Sequence, residues 1–278
     1  MNKYVIHQTV LSDEVKAIVK NTFGAEATKA DGFFIVESNQ YLDSVSLADV
    51  RKALSCDINL IKAGFIGEDV GLLVTDMDST LISIECIDEI ADMLGLKKEV
   101  FSITEAAMRG ELDFAESLTR RVTLLKGLPE TELERVYDER LSLNLGAEKL
   151  IDYLKEQAIK LALVSGGFTF FTERLKKRLE IDYTLANTLE IQDGRLTGRV
   201  VGEIIGAQSK ADLLVELSNK LGLQKQQVIA MGDGANDLLM MEQAGLSVAY
   251  HAKPTVQEQT DAQLNISGLD AVIDILKT

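Results

Sequence analysis

Residues 70–80 have the sequence Val70-Gly71-Leu72-Leu73-Val74-Thr75-Asp76-Met77-Asp78-Ser79-Thr80. This apolar run ends abruptly in two carboxylates separated by one residue, which is typical of a buried parallel strand that delivers its C-terminal end to a loop. Because side chains alternate along an extended segment, Asp76 and Asp78 leave the strand on the same side, where a hard cation such as Mg²⁺ offsets their repulsion. Considered alone, the pair is explained equally well by helix capping.

Two further polar segments follow predicted strands in the C-terminal half of the chain. A strand over residues 160–164 ends in the polar turn Ser165-Gly166-Gly167, and a strand over residues 228–231 ends in Gly232-Asp233-Gly234-Ala235-Asn236-Asp237. The alternation of strands and helices predicts an α/β fold with a Rossmann-like parallel sheet, in which these strand ends share one edge. The other predicted elements here are helices over 146–157, 168–179 and 210–221, strands over 183–187 and 247–249, and a hairpin over 189–201 that turns at Asp193-Gly194.

Each polar segment also has a simpler explanation. The Ser-Gly-Gly tripeptide occurs in ordinary tight turns, and the residues from Asp233 to Asp237 are common in Asx turns and helix caps. Lysines such as Lys210 are mostly solvated surface residues. The appearance of all three segments at corresponding strand ends favours a functional site.

Composition restricts the class of protein. The chain has 278 residues, 46% of them hydrophobic, which is enough for about two domains. Its formal charge of −15 disfavours nucleic acids and anionic membranes as partners. The two cysteines, Cys56 and Cys86, lack the spacing of a zinc site, and no stretch has the length of a membrane span, so we expect a cytoplasmic protein with reduced thiols.

The first 69 residues predict a small α+β unit. Residues 3–8 and 32–36 have strand patterns, a helix starts at Ser12 and runs to residue 22, and Ser46 is the expected N-cap of a helix over residues 47–54. Three roles stay open for this unit: it could support a homodimer, bind an amino-acid effector, or cover an edge of the sheet.

The region of about residues 82–145 has helical periodicity without a strand pattern. The apolar positions predict helices over residues 87–94, 103–109, 114–125 and 130–137. An insertion directly after the first strand of the sheet lies over that strand's C-terminal end, so we expect it to act as a cap or lid.

These motifs resemble the haloacid dehalogenase superfamily of phosphotransferases and, within it, the phosphoserine phosphatase family. Asp76-Met77-Asp78-Ser79-Thr80 resembles the first motif of that superfamily, Ser165-Gly166-Gly167-Phe168 the second, and Lys210 with residues 232–237 the third. The closer resemblance also uses residues 85–91 and 114–126. It extends from about residue 70 to the C-terminus, so residues 70–278 are expected to form the phosphatase core with its cap.

The resemblance implies covalent catalysis. Asp76 attacks phosphorus and carries an aspartyl-phosphate, which suits a carboxylate that is ionised at neutral pH without a base. Mg²⁺ is held by Asp76, Asp233 and the backbone carbonyl of Asp78, while Lys210 and the Ser165 hydroxyl balance charge on the transferring oxygens. The Asp78 side chain then protonates the leaving alkoxide and later deprotonates the attacking water.

The remaining site residues are also assigned through the resemblance. Glu85 suits an ammonium group, and Arg121 offers a planar fork for a carboxylate. Together they describe an amino acid, so the implied activity is Mg²⁺-dependent hydrolysis of O-phospho-L-serine, the last step of serine biosynthesis. Glu85 at a helix N-terminus and Phe114 in the lid core are the simpler explanations of those two residues. The other assignments are Met108 and Phe114 to an apolar wall, Gly166 and Asn236 to substrate contacts, and Asp237 to support of the metal ligands.

Other functions fit the residues less well. A receiver-type switch also uses an acidic Mg²⁺ pocket and a lysine, but it has little use for an acid such as Asp78 two positions after the nucleophile. Dinucleotide binding through Gly232-x-Gly234 fails because Asp237 would face the pyrophosphate. An EF-hand fails on ligand spacing. A phosphatase or phosphotransferase for another small phosphorylated metabolite stays open.

Overall fold

The computed structural model describes residues 1–278 apart from the side chain of Met108. The strands are β1 (Asn2–Ile6), β2 (Thr28–Lys29), β3 (Phe34–Ser38), β4 (Ile58–Ile61), β5 (Leu72–Asp76), β6 (Lys160–Phe168), β7 (Tyr183–Gln192), β8 (Arg195–Val201), β9 (Val228–Gly232), β10 (Leu246–Tyr250) and β11 (Ala262–Leu264). The helices are α1 (Asp13–Phe23), α2 (Ser44–Leu54), α3 (Cys86–Met93), α4 (Lys97–Met108), α5 (Phe114–Leu124), α6 (Thr131–Glu139), α7 (Ala147–Glu156), α8 (Thr169–Leu179), α9 (Ala207–Leu221), α10 (Leu238–Gln243), α11 (Pro254–Gln257) and α12 (Ala271–Leu276).

The larger sheet has the strand order β11-β10-β9-β5-β6-β7-β8. Every neighbouring pair in it is parallel except the hairpin β7-β8, which turns at Asp193 and Gly194, both with positive φ. The predicted α/β fold with a mostly parallel sheet is therefore confirmed. Strand β5 lies between β9 and β6, which brings the three polar strand ends to neighbouring positions.

The two faces of β5 pack against different sets of apolar side chains. Leu73 and its register partners Leu161 and Ile229 belong to one cluster, whereas Leu72 and Val74 belong to the other. This alternation has the period of two that an extended strand imposes. Burial on both faces explains why residues 70–75 are almost uniformly apolar.

The helical insertion is present between β5 and α7, as expected. Helices α3, α4, α5 and α6 correspond to the four predicted segments, with the largest shift at α4, which begins at Lys97 rather than at residue 103. Helix α5 starts with a capping box, because the Asp113 side chain accepts from the Glu116 N–H at 2.8 Å. The described residues include no helix with both the length and the apolarity needed to cross a bilayer.

The end of β6 differs from the prediction. Ser165, Gly166 and Gly167 continue the strand to Phe168 instead of forming a turn, and α8 begins at Thr169. The side chain of Asn187 on β7 donates to the Gly166 carbonyl at 2.9 Å, and strand pairing resumes at Phe168 after a shift of register. This long-range hydrogen bond holds the glycines extended.

The N-terminal unit is a four-stranded antiparallel sheet of order β2-β3-β1-β4 with α1 and α2, a βαββαβ arrangement. Ser12 caps α1 as predicted. The N-cap of α2 is Asp43, not Ser46, because the Asp43 carboxylate accepts the Ser46 N–H at 2.8 Å and the helix starts two residues before Ser46.

This unit covers edge strand β11 of the larger sheet. The side-chain amide of Asn59 accepts the backbone N–H of Gln263 at 2.8 Å and donates to the backbone carbonyl of Gln263 at 3.0 Å. It thus replaces the two hydrogen bonds that the backbone of a neighbouring strand would make. The buried Asp57 carboxylate accepts three successive backbone N–H groups, those of residues 265, 266 and 267. Of the three roles left open by the sequence, edge covering is therefore observed.

Candidate active site

A cavity of about 690 Å³ lies between the carboxyl edge of the large sheet and the helical insertion. The sheet side supplies residues from the C-terminal end of β6 and from the ends of β5 and β9 and the segments after them, and the insertion supplies residues from α3, α4 and α5 and from the segment before α3. The sequence-predicted residues that line it are Asp76, Asp78, Glu85, Phe114, Arg121, Gly166, Asp233 and Asn236. The structure thus brings most of the predicted site into one pocket.

Lys210 lies directly beneath this cavity with only 1% of its side chain exposed. Its Nζ atom donates to Asp76 Oδ1 at 2.5 Å and to Asp237 Oδ1 at 2.8 Å. Burial lowers the pKa of Lys210, but the Asp237 and Asp76 carboxylates raise it by a larger amount. The net shift of the Lys210 pKa is therefore upward. The ammonium therefore stays charged and orients both carboxylates. Because the side chain is buried and paired in this way, Lys210 is not a solvated surface lysine.

Three carboxylates meet beside Lys210. Oxygen atoms of Asp76, Asp233 and Asp237 lie within 4.8 Å of one another. Burial, followed by the charge of Asp237, raises the pKa of Asp76 well above its usual value, and the same two causes raise the pKa of Asp233 to about 6. A cluster whose ionised form is disfavoured in this way suits a hard divalent cation, because the donor set is all oxygen.

The Asp78 carboxylate makes hydrogen bonds to residues outside the acidic cluster. Its Oδ1 atom accepts the Cys86 N–H at 2.8 Å, and its Oδ2 atom accepts the Ser165 hydroxyl at 2.9 Å. A Cβ on Gly167 would lie 2.8 Å from Asp78 Oδ2, so a glycine is needed at that position. The Asp78 carboxylate is consequently held apart from the acidic cluster and next to the predicted Ser165.

Glu85 and Arg121 face the cavity from the insertion. Glu85 accepts the Ser79 hydroxyl at 2.7 Å, and it makes no capping hydrogen bond to α3 although it occupies the N-cap position. Burial, followed by the charge of Asp78, raises the pKa of Glu85 to about 8. Arg121 donates through Nε to the Ser117 carbonyl at 3.4 Å, which leaves both of its Nη groups for another acceptor.

Phe114 connects the insertion to the sheet. Its side chain is 37% exposed, and a Cβ on Gly166 would lie 2.7 Å from the ring. The ring therefore lines the cavity rather than the lid core. Met108 lies outside the described side chains, so its predicted contact with substrate stays a prediction.

Comparisons with known proteins agree with this geometry. A family model for haloacid dehalogenase-like hydrolases matches residues 73–242. A phosphoserine phosphatase of Polaromonas sp. is 54% identical over 214 residues, which are 75% of this chain and 91% of that protein. The chain belongs to the phosphoserine phosphatase family of haloacid dehalogenase-like hydrolases.

Solved structures of the family show the same architecture. An unliganded probable phosphoserine phosphatase from Vibrio cholerae superposes with a TM-score of 0.86 at 39% identity and covers 99% of this chain and 86% of its own. A phospho-aspartyl intermediate analogue of phosphoserine phosphatase gives a TM-score of 0.69 at 39% identity, with coverage of 74% and 98%. The first match includes the N-terminal unit.

Two further residues, both asparagines, position the site, and neither of them was predicted from the sequence. Asn144 donates to the carbonyls of Thr80 and Ile82 at 2.8 and 3.1 Å and so holds the loop after Asp76. Asn187 holds Gly166 and also accepts the Ile205 N–H at 2.8 Å. Neither residue stands in a motif, and each partner is distant along the chain, so the sequence carried no local signal for them.

Proposed function

We propose that this chain hydrolyses O-phospho-L-serine to L-serine and phosphate, the last step of serine biosynthesis, with Asp76 as the nucleophile. One observation carries the proposal: a buried carboxylate held by Lys210 faces a cavity whose opposite wall presents both Glu85 and Arg121. An acid and a guanidinium fit the ammonium and carboxylate of an amino acid, and the oriented carboxylate suits attack on its phosphate.

The hydrogen bonds of Asp76 suggest which atom attacks. Lys210 engages Oδ1, so we assign the attack on phosphorus to Oδ2. The bond from phosphorus to the serine oxygen breaks, and Asp78 transfers a proton to that oxygen. Asp78 then takes a proton from water, which attacks phosphorus, releases phosphate and regenerates Asp76.

We assign Mg²⁺ to the acidic cluster. Asp76, Asp233 and the backbone carbonyl of Asp78 would hold it, and Asp237 supports the ligands through its bond to Lys210. The bound ion supplies charge stabilisation for the phosphoryl oxygens. The Lys210 ammonium and the Ser165 hydroxyl would stabilise the negative charge of the same phosphoryl oxygens.

The cap residues account for substrate choice in this proposal. Glu85 binds the ammonium and Arg121 the carboxylate, while Phe114 and Met108 exclude water. Gly166 lets the phenyl ring of Phe114 approach, and Asn236 contacts the phosphate or the serine moiety.

Phosphate release from a substrate panel tests the proposal. L-phosphoserine, phosphothreonine, phosphoethanolamine and 3-phosphoglycerate are compared with and without Mg²⁺. We expect L-phosphoserine to be preferred and turnover to need the metal. Equal rates across the panel would remove the amino-acid assignment and favour a phosphatase for other small metabolites, and no release from any of the four would refute the phosphatase assignment.

We also propose a boundary between residues 69 and 70, with an N-terminal domain that covers the sheet edge and a core whose cap spans about residues 82–145. The two buried free cysteines and the acidic charge support work in the cytoplasm without nucleic-acid or membrane partners. A homodimer stays a prediction.

A further inference from the structure

The hydroxyl of Ser117 on α5 has no hydrogen-bond partner, although the residue is only 2% exposed. It is the one buried side-chain polar atom in this condition among the described residues. Buried polar atoms nearly always have a partner, and leaving one unsatisfied is unfavourable. Ser117 lines the cavity, so a partner for its hydroxyl can come from a bound molecule.

Other hydroxyls of the same helix behave differently. Thr119 donates to the Ala115 carbonyl at 2.7 Å, and Thr123 donates to the Thr119 carbonyl at 2.8 Å, each bonding back by one turn. Ser117 makes no such bond, although its own backbone N–H reaches the Asp113 carbonyl at 3.0 Å. The Ser117 hydroxyl therefore does not donate a hydrogen bond to a backbone carbonyl of α5.

Ser117 lies one helical turn before Arg121 on the face that lines the cavity. The two residues are in contact, because Arg121 Nε donates to the Ser117 carbonyl at 3.4 Å. A hydroxyl donor next to a guanidinium with unused Nη groups is an anion site suited to a carboxylate, which accepts several hydrogen bonds at once.

We propose that Ser117 Oγ donates a hydrogen bond to the carboxylate of the amino-acid substrate and thereby acts with Arg121 as a specificity determinant. This inference rests on the proposed function, since it concerns the same cavity and substrate. It adds a recognition residue that the sequence motifs did not indicate, and it gives the buried Ser117 hydroxyl a hydrogen-bond acceptor.

The test compares Ser117→Ala with the wild type on two ligands that differ in the carboxylate. For L-phosphoserine we expect KM to rise about tenfold with kcat changed by less than about threefold, because a hydrogen bond to a charged group is lost. Phosphoethanolamine lacks the carboxylate, so its inhibition constant against L-phosphoserine should change by less than twofold. Thr119→Ala, which removes an exposed hydroxyl from the same helix, is the matched control and should leave both constants unchanged.

Thermal unfolding of the ligand-free proteins separates binding from structure. Ser117→Ala should have a Tm equal to or above that of the wild type, because it removes an unsatisfied buried group. An unchanged KM for L-phosphoserine, an equal loss of affinity for both ligands, or a lowered Tm would each overturn the inference while the proposed function stands. A wild-type enzyme without activity on L-phosphoserine would refute the proposed function and the inference together.

Discussion

Replacing Lys210 with Met should destabilise the protein strongly in the absence of divalent cations. The ammonium, 1% exposed, is bonded to two carboxylates that are 6% and 0% exposed, so screening by water is small. Removing one partner of a buried ion pair costs about 3–5 kcal/mol, because it leaves uncompensated charge. For a chain of 278 residues that corresponds to a fall in Tm of roughly 5–9 °C.

The pH dependence of this loss has a definite sign. Burial and the charge of Asp237 already raise the pKa of Asp76 in the folded state, and removing Lys210 raises it further. A carboxyl whose folded pKa exceeds its unfolded value contributes stability when protonated and loses it as pH rises through the folded pKa. The deficit of Lys210→Met against wild type should therefore be larger at pH 8 than at pH 5.5.

Differential scanning calorimetry in EDTA measures both effects. Lys16→Met is the matched control, since Lys16 also pairs with an aspartate, Asp13, at 3.0 Å, but the two side chains are 56% and 100% exposed. Such a surface pair contributes less than about 1 kcal/mol. A deficit for Lys210→Met no larger than that of Lys16→Met, or one that grows as the pH falls, would refute the electrostatic reasoning.

Three further changes test the site. Gly166→Ala places a Cβ 2.7 Å from the Phe114 ring and should lower kcat/KM for L-phosphoserine about tenfold or more. The control Gly206→Ala places a Cβ 3.5 Å from that ring and should leave kcat/KM unchanged. The same kcat/KM in both variants would contradict the importance of the contact between Gly166 and Phe114. Because the pKa of Glu85 is raised to about 8, its carboxylate forms above that pH, so KM for L-phosphoserine should fall from pH 6.5 to 8.5 in wild type but stay flat in Glu85→Gln. Asp78→Asn should keep phosphate and Mg²⁺ binding, measured by calorimetry, while turnover falls at least a hundredfold; full activity would rule out its proton-transfer role.

The sheet was predictable because its signals are local. Leu72, Leu73 and Val74 pack on both faces of the sheet, and that burial is visible as an uninterrupted apolar run. Strand β6 shows the limit of this reasoning. Ser165-Gly166-Gly167 has turn composition, but Asn187 on the neighbouring strand holds it extended, and no local pattern reports that partner.

The candidate site was predictable in composition but not in its connections. Asp76, Asp233 and Lys210 were expected to meet, and they do. The bond of Asp237 to Lys210, which places Asp237 inside the acidic cluster, depends on how α9 packs against α10 and the turn that follows β9. The unsatisfied hydroxyl of Ser117 likewise exists only in the folded cavity, since the sequence shows just another serine in a helix.

Covalent phosphorylation of Asp76 is the central claim, and it can be measured directly. Wild-type protein is mixed with L-phosphoserine and Mg²⁺, quenched in acid within milliseconds, and its peptides are analysed by mass spectrometry. We expect one phosphoryl group on Asp76, with no phosphorylated peptide from Asp76→Asn. A phosphoryl group on Ser165 or another residue, or phosphate release by Asp76→Asn at the wild-type rate, would contradict the account.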